Sequence, residues 1–200
     1  MKKEKNQFEQ IKAELKKVLK PHRFNHTLGV VKSASKLAKQ NAIDARQAEL
    51  AALLHDCAKN FSNQEMLQVA KDEKIALDPI MILEPQLLHG PVGAVVAKRK
   101  YHVKDPEILS AVACHTTGKS GMSTLDKIIY LADFIEPGRD YPGVEHLRKT
   151  SYEKDLDTAC REAFDNTISY VMSIGGLIHP RTIEARNYMI IEDKYQLDQE

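Results

Sequence analysis

His55 and Asp56 stand side by side at the end of an apolar run, Ala51-Ala52-Leu53-Leu54, with Lys59 three residues beyond the aspartate. On a helix, neighbouring side chains diverge by roughly 100°, so the pair cannot line one stripe. The two can meet only on something held over the edge between them. A metal ion suits that place, because imidazole and carboxylate both ligate iron, zinc and manganese. Alone, a His-Asp dipeptide is more often an ordinary capping or surface pair, and the wider inventory decides the matter. His26, His89, His115 and Asp133 each fall on, or at the end of, a different expected helix. Asp133 interrupts the apolar run Ile128 to Ile135, where a buried carboxylate is costly unless it is paired or bound to a metal. His22, His102, His146 and His179 lack such a placement and read as surface or loop histidines.

Cations surround the candidate ligands. Lys59 lies one helical turn from Asp56 on the same side, placed to meet an anion held there. Arg23 precedes His26 by three residues and shares its face, and Arg139 follows Asp133 in a loop. Guanidinium forks grip phosphate bidentately. Thr116 either offers its hydroxyl to phosphate or caps a helix end, and Glu136 is open between a partner of a ligand and a plain helix C-terminal residue. Lys98-Arg99-Lys100 reads as the exposed end of a helix. Phe61, Tyr141 and Tyr170 could stack on a base, but each is more readily explained by packing. No stretch fits the GxxxxGK[ST] phosphate loop, so phosphates would be held by metal and side chains.

These residues need helices to gather them, and helical periodicity dominates the chain. Phe8, Ile11, Leu15, Val18 and Leu19 mark a first helix that stops at Pro21. Phe24 to Ala38 traces a second stripe, and Asp44 caps a third helix expected to run to about Ala58. Asn63 starts a short one, and the segment Asp78 to Pro85 reads as a linking turn. Further helices are expected over Leu88 to Tyr101, with Gly90 and Gly93 at close packing, and over Pro106 to His115. Others span Ser123 to Ile135, Tyr152 to Ile174, and Pro180 to about Asp193. No alternating strand pattern or repeat is present, so the chain is expected to be all-α. Residues 1–20 are expected to form an N-terminal helix packed on a domain spanning 21–193, with 194–200 expected to be a frayed tail.

Composition excludes several classes. Two hundred residues with 42% hydrophobic content suit one domain with a sizeable core. The net charge of +1 and the absence of a basic helix speak against nucleic-acid or membrane binding. No window is long and apolar enough to cross a membrane, and the N-terminus lacks the apolar core of a signal peptide. Cys57, Cys114 and Cys160 are far apart without a CxxC, which disfavours disulfides and points to a cytoplasmic protein. A homodimer is compatible with a helical domain of this size.

The ordered set His26, His55-Asp56 and Asp133 resembles the HD-domain metal-dependent phosphohydrolases. More closely, the chain resembles the YqeK family of bacterial HD proteins, on blocks running from residue 23 to residue 187. These are Arg23-Phe24-Asn25-His26, Leu54 to Lys59, Leu88-His89-Gly90, Cys114 to Gly118, Tyr130 to Arg139 and His179 to Asn187. The resemblance implies a single HD-domain helical bundle with a metal centre in its core. It implies symmetric hydrolysis of diadenosine tetraphosphate to two ADP by metal-activated hydroxide. His26, His55, Asp56 and Asp133 would hold the first metal. His89 and His115 would hold a second, or contact phosphate, and the sequence does not separate these. Iron is the metal implied, with manganese and zinc as alternatives. His55, Asp56, Lys59, His89 and His115 would form the catalytic set. Arg23, Lys59, His89, His115, Thr116, Arg139, Arg181 and Asn187 would contact substrate, the last two from the block resembling the family's nucleotide-contacting end. The alternatives are the same centre acting on another nucleotide, a deoxynucleoside monophosphate or a cyclic dinucleotide, and a non-catalytic nucleotide-binding module.

Overall fold

The structure, a computed structural model, describes residues 2–195, and every regular element in it is helical. The α-helices are α1 (Lys2–Val18), α2 (Pro21–Gln40), α3 (Ala45–Leu54), α4 (Asn63–Asp72) and α5 (Pro79–Leu83). After a 3-10 turn at Pro85–Leu88 come α6 (His89–Arg99), α7 (Pro106–Cys114) and α8 (Thr124–Ile135). The chain closes with α9 (Val144–Glu153), α10 (Leu156–Ser173) and α11 (Pro180–Tyr195). The all-α expectation holds. Of the expected tail, Lys194 and Tyr195 belong to α11, and residues 196–200 lie outside the described residues.

The core forms around α8, whose Leu125, Ile128, Ile129, Tyr130, Leu131, Ala132 and Ile135 are all buried. Helices α2, α3, α7, α9 and α10 pack against it. Fully buried alanines from α2 (Ala34, Ala38) and α3 (Ala48, Ala51, Ala52) join the same core. The helix starts follow from side-chain acceptors for free backbone amides. Asp44, Asp78, Asp105 and Asp155 each accept a backbone N–H at the head of a helix. Ser62 with Glu65, and Ser123 with Asp126, form reciprocal capping boxes. Asp126 also receives Ser110 and Lys119, so one buried carboxylate ties the head of α8 to α7 and the loop behind it.

Several expectations need correcting. Helix α3 ends at Leu54, and the chain tightens into successive three-residue turns, Cys57 to Leu54, Lys59 to Asp56 and Phe61 to Ala58. The segment expected as a linking turn holds α5, capped by Asp78 with Pro79 in the first position, where proline's missing N–H costs nothing. The single helix expected from Tyr152 to Ile174 is two. Asp155 caps the second through the Thr158 amide, and its extended backbone breaks the run. His179, expected on the surface, is buried, with Nε2 on Asp78 Oδ2 at 2.8 Å and Nδ1 accepting from the Arg181 amide. That pair joins the head of α5 to the head of α11. All three cysteines are free and buried.

Candidate metal centre

Helix ends and one helix interior bring the candidate ligands together. His26 comes from the second turn of α2, and His55-Asp56 from the end of α3. His89 opens α6, His115 closes α7, and Asp133 lies on α8. The ring centroids of His26 and His55 are 5.4 Å apart, those of His55 and His115 5.0 Å, and those of His89 and His115 4.8 Å. His55, Asp56, His89 and His115 are all buried.

Asp56 divides its carboxylate between two groups. Its Oδ2 lies 3.5 Å from His55 Nε2 and 3.8 Å from His26 Nε2. Its Oδ1 lies 3.4 Å from His89 Nε2 and 3.8 Å from His115 Nε2. Asp133 Oδ1 completes the first side at 3.1 Å from His26 Nε2. Three ligand triads result, His26-His55-Asp56, His55-His115-Asp133 and Asp56-His89-His115, each with its donor atoms within 4.8 Å of one another.

Every one of these imidazoles is tied at Nδ1 to an oxygen. His55 meets the Ala52 carbonyl at 2.7 Å, His115 the Val112 carbonyl at 2.8 Å, and His89 the Gln86 carbonyl. His26 meets Glu136 Oε1 at 3.1 Å. A carbonyl can only accept, so His55, His89 and His115 carry the proton on Nδ1 and turn the Nε2 lone pair inward. His26 Nε2 and His55 Nε2 are buried without a hydrogen-bond partner. His89 Nε2 and His115 Nε2 face each other at 3.0 Å, two lone pairs in need of a cation between or beside them. Unpartnered inward nitrogens beside ionised carboxylates fit a divalent metal ion.

The charges are coupled accordingly. Burial would push the Asp56 carboxyl up, but His55, His115 and His89 hold it well below its ordinary range. Asp133 is likewise drawn far down against its burial by His26, His55 and Arg139. Burial opposes protonation of His55, yet Asp56 and Asp133 raise it, so a cation is favoured at that nitrogen, whether a proton or a metal. Burial, His115 and Lys59 push His89 down to about 3, which keeps it neutral and ready to ligate.

Cationic residues rim the cluster. Arg23 Nη1 donates to Asp56 Oδ2 at 2.8 Å. Lys59 Nζ sits 3.3 Å from His89 Nε2, and burial pulls its pKa down. Arg139 donates to the side chain and the backbone carbonyl of Asp133. The Thr116 hydroxyl lies 3.1 Å from His89 Nε2. Arg181 is exposed and borders a groove of about 380 Å³ with Lys119, Thr117 and Ser110. Asn187 is exposed on α11, where its Oδ1 accepts from Arg186. Neither of these two touches the cluster. Phe61 packs against the small core under α6, Tyr170 is exposed, and the Tyr141 hydroxyl donates to the Phe134 carbonyl.

Arg148 was not anticipated. Its guanidinium donates to the carbonyls of Ile135, Glu136 and Arg139, closing the end of α8 and shaping the loop that carries Arg139. It lies on α9, a helix the periodicity did not reveal. Gly29 was also passed over, although a glycine inside a helix is itself a signal, since it weakens the helix unless space demands it.

The HD domain family matches residues 23–138, the span that contains every ligand candidate. The chain belongs to the HD domain family. It is 40% identical over 176 residues to the symmetrical bis(5'-nucleosyl)-tetraphosphatase of Halalkalibacterium halodurans, covering 88% of this chain and 93% of that one. It is 39% identical over 178 residues to the protein of the same name in Bacillus subtilis, covering 88% and 94%. Its fold matches the crystal structure of a protein from Clostridium acetobutylicum described as a predicted HD superfamily hydrolase involved in NAD metabolism. That match has a TM-score of 0.88 and 42% identity over 92% of this chain and 96% of that one.

Proposed function

We propose that this HD-domain protein is a metal-dependent hydrolase of dinucleoside polyphosphates that cuts diadenosine tetraphosphate between its two middle phosphates, giving two ADP. The observation that carries the reading is the division of Asp56, one oxygen toward His26 and His55 and the other toward His89 and His115. Relatives covered almost end to end bear the name of that activity.

His26, His55, Asp56 and Asp133 would hold one divalent ion, and Asp56, His89 and His115 a second. When bound, such ions polarise a phosphoryl oxygen and lower the pKa of water so that hydroxide is available at neutral pH. The facing nitrogens of His89 and His115 support the second ion over a direct phosphate contact. Iron is the metal we propose, in keeping with the mixed nitrogen and carboxylate donors. Lys59, Arg23 and Arg139 line the same side and would offset the negative charge that keeps polyphosphates inert. Thr116 would donate its hydroxyl to a phosphate oxygen. Water adds to one middle phosphorus, and the bond from that phosphorus to the central bridging oxygen breaks. ADP leaves with that oxygen, and the added hydroxyl remains on the other ADP. Arg181 and Asn187 would act further along a dinucleotide, away from the cleaved bond.

The test is product analysis with diadenosine tetraphosphate, using protein purified without oxygen and supplied in turn with iron, manganese and zinc. ADP as the sole nucleotide product, lost in His55→Ala and Asp56→Ala, is the expected result. AMP with ATP would reject the scissile bond. Turnover of only a deoxynucleoside monophosphate or a cyclic dinucleotide would move the centre to that substrate. Tight nucleotide binding without turnover would leave a binding module.

A further inference from the structure

Three of the four cluster histidines sit at helix ends, where the last carbonyls have no amide partner. His55 and His115 each take such a carbonyl three residues earlier in the chain, and His89 shares the Gln86 carbonyl at the end of the 3-10 turn with its own backbone amide. His26 has no such option. It lies inside α2, where the carbonyls before it serve the helix, and the Arg23 carbonyl also receives the Thr27 hydroxyl. Its acceptor must come from elsewhere, and Glu136 at the end of α8 supplies it.

We propose that Glu136 is a positioning residue that sets the tautomer and aim of His26, and that Gly29 is present to give its carboxylate room. The inference rests on His26 being a metal ligand, as in the function proposed above. Glu136 is only 4% exposed, yet it carries a carboxylate. Its Oε1 lies 3.1 Å from His26 Nδ1, and its Oε2 accepts the Gly138 amide at 2.6 Å. The backbone carbonyl of Glu136 is fixed by Arg148 at 2.8 Å. A Cβ on Gly29, one turn after His26 on the same helix, would stand 2.1 Å from Glu136 Oε2 and 3.0 Å from its Cδ. A Cβ on Gly138 would approach both carboxylate oxygens, at 3.0 and 3.1 Å. The carboxylate therefore lies in a slot between two glycines with its inner oxygen on the imidazole. With Nδ1–H donated to Glu136, the His26 Nε2 lone pair faces Asp56 and Asp133, and an anionic acceptor makes that nitrogen a stronger ligand than a carbonyl would.

The test compares metal-free full-length wild type, His26→Ala, Glu136→Ala, Glu136→Gln, Gly29→Ala and the double variant Gly29→Ala/Glu136→Ala. Circular dichroism checks that each is folded. Manganese affinity is read by competition with a chromogenic chelator, and the His26 tautomer by long-range proton–nitrogen NMR of the metal-free protein. Glu136→Ala should weaken manganese binding by about 10–100-fold and shift His26 away from the Nδ1–H form. Glu136→Gln, which keeps one acceptor, should fall between it and wild type and serves if the alanine variant does not fold. Gly29→Ala should lose affinity in wild type and lose little more once Glu136 is gone, because nothing remains to displace. Lost affinity in His26→Ala, with Glu136→Ala and Glu136→Gln both like wild type in affinity and tautomer, would overturn the inference alone. Unchanged affinity in His26→Ala would overturn the ligand reading beneath it.

Discussion

The ammonium of Lys59 lies 3.3 Å from each ring nitrogen of His89. Two such groups cannot both be charged in a buried place, and His89 is the one that gives up its proton. A cation thus stands beside a neutral imidazole, where it would meet a phosphate of the proposed substrate. Lys59→Met should lower kcat about 100-fold, the size expected for removing one stabilising charge from a developing oxyanion. Lys59→Arg should recover part of the loss. Steady-state ADP formation under saturating metal checks both.

Arg23 reaches Asp56 Oδ2 at 2.8 Å while remaining partly exposed, so it can hold the carboxylate and meet substrate together. Arg23→Ala should reduce kcat/KM about tenfold or more, the loss of one charge-assisted contact. Most of that should appear in KM. An equal fall in kcat with KM unchanged would show that Arg23 serves Asp56 alone.

Metal should stabilise the fold, because the triads exist only when α2, α3, α6, α7 and α8 are assembled. An ion at a hundred times its dissociation constant adds about 2.7 kcal/mol, or about 5–10 °C in Tm for a domain of this size. Calorimetry with added manganese, then with chelator, should show the rise and its reversal. Asp56→Ala, which leaves only the His55-His115-Asp133 triad whole, should show a much smaller rise.

The helices were legible where one face is continuously apolar, as along α2 and α8. The division at Lys154 and Asp155 was not, because no Gly or Pro marks it and only the Asp155 cap on the Thr158 amide signals the new start. The His-Asp pair, Asp133 in its apolar run and the outlying histidines were visible as residue types out of place. The partners of His26 were harder to see, since Glu136 follows it by 110 residues and contact across α2 and α8 is a matter of packing. His179 misled because its partner, Asp78, lies 101 residues earlier in a segment that reads as a turn.

Gly118 closes the turn after Thr116 and Thr117 with a φ of +67°, and a Cβ there would stand 2.6 Å from Phe164 Cζ. The Phe164 ring is stacked on Tyr130 at 4.3 Å and is fully buried, so it has no room to withdraw. Gly118→Ala should destabilise the protein by roughly 2–3 kcal/mol, combining backbone strain with overpacking. Urea unfolding should show a lower midpoint with an unchanged slope, and Phe164→Leu in the Gly118→Ala background should restore part of it.

Asp78 carries both the cap of α5 and the contact to His179. Slight burial pushes its carboxyl up, but the Met81 amide, His179 and the Ile80 amide hold it below its ordinary value. A depressed folded pKa means that the unfolded chain binds the proton more readily. The stabilisation is therefore present above about pH 4 and is lost as pH falls below it. Asp78→Ala should lower Tm at neutral pH, and its gap to wild type should shrink below about pH 4. A gap that stays constant down to pH 2 would assign the effect to packing.

The carbonyls that aim His55, His89 and His115 lie three residues before each ring, within the same stretch of chain. Each of these rings is thus oriented by an acceptor in its own local turn. Such a design separates the inheritance of the ion from that of the substrate. Substitutions on the surface that would grip a nucleotide therefore leave the local acceptors of these three rings in place.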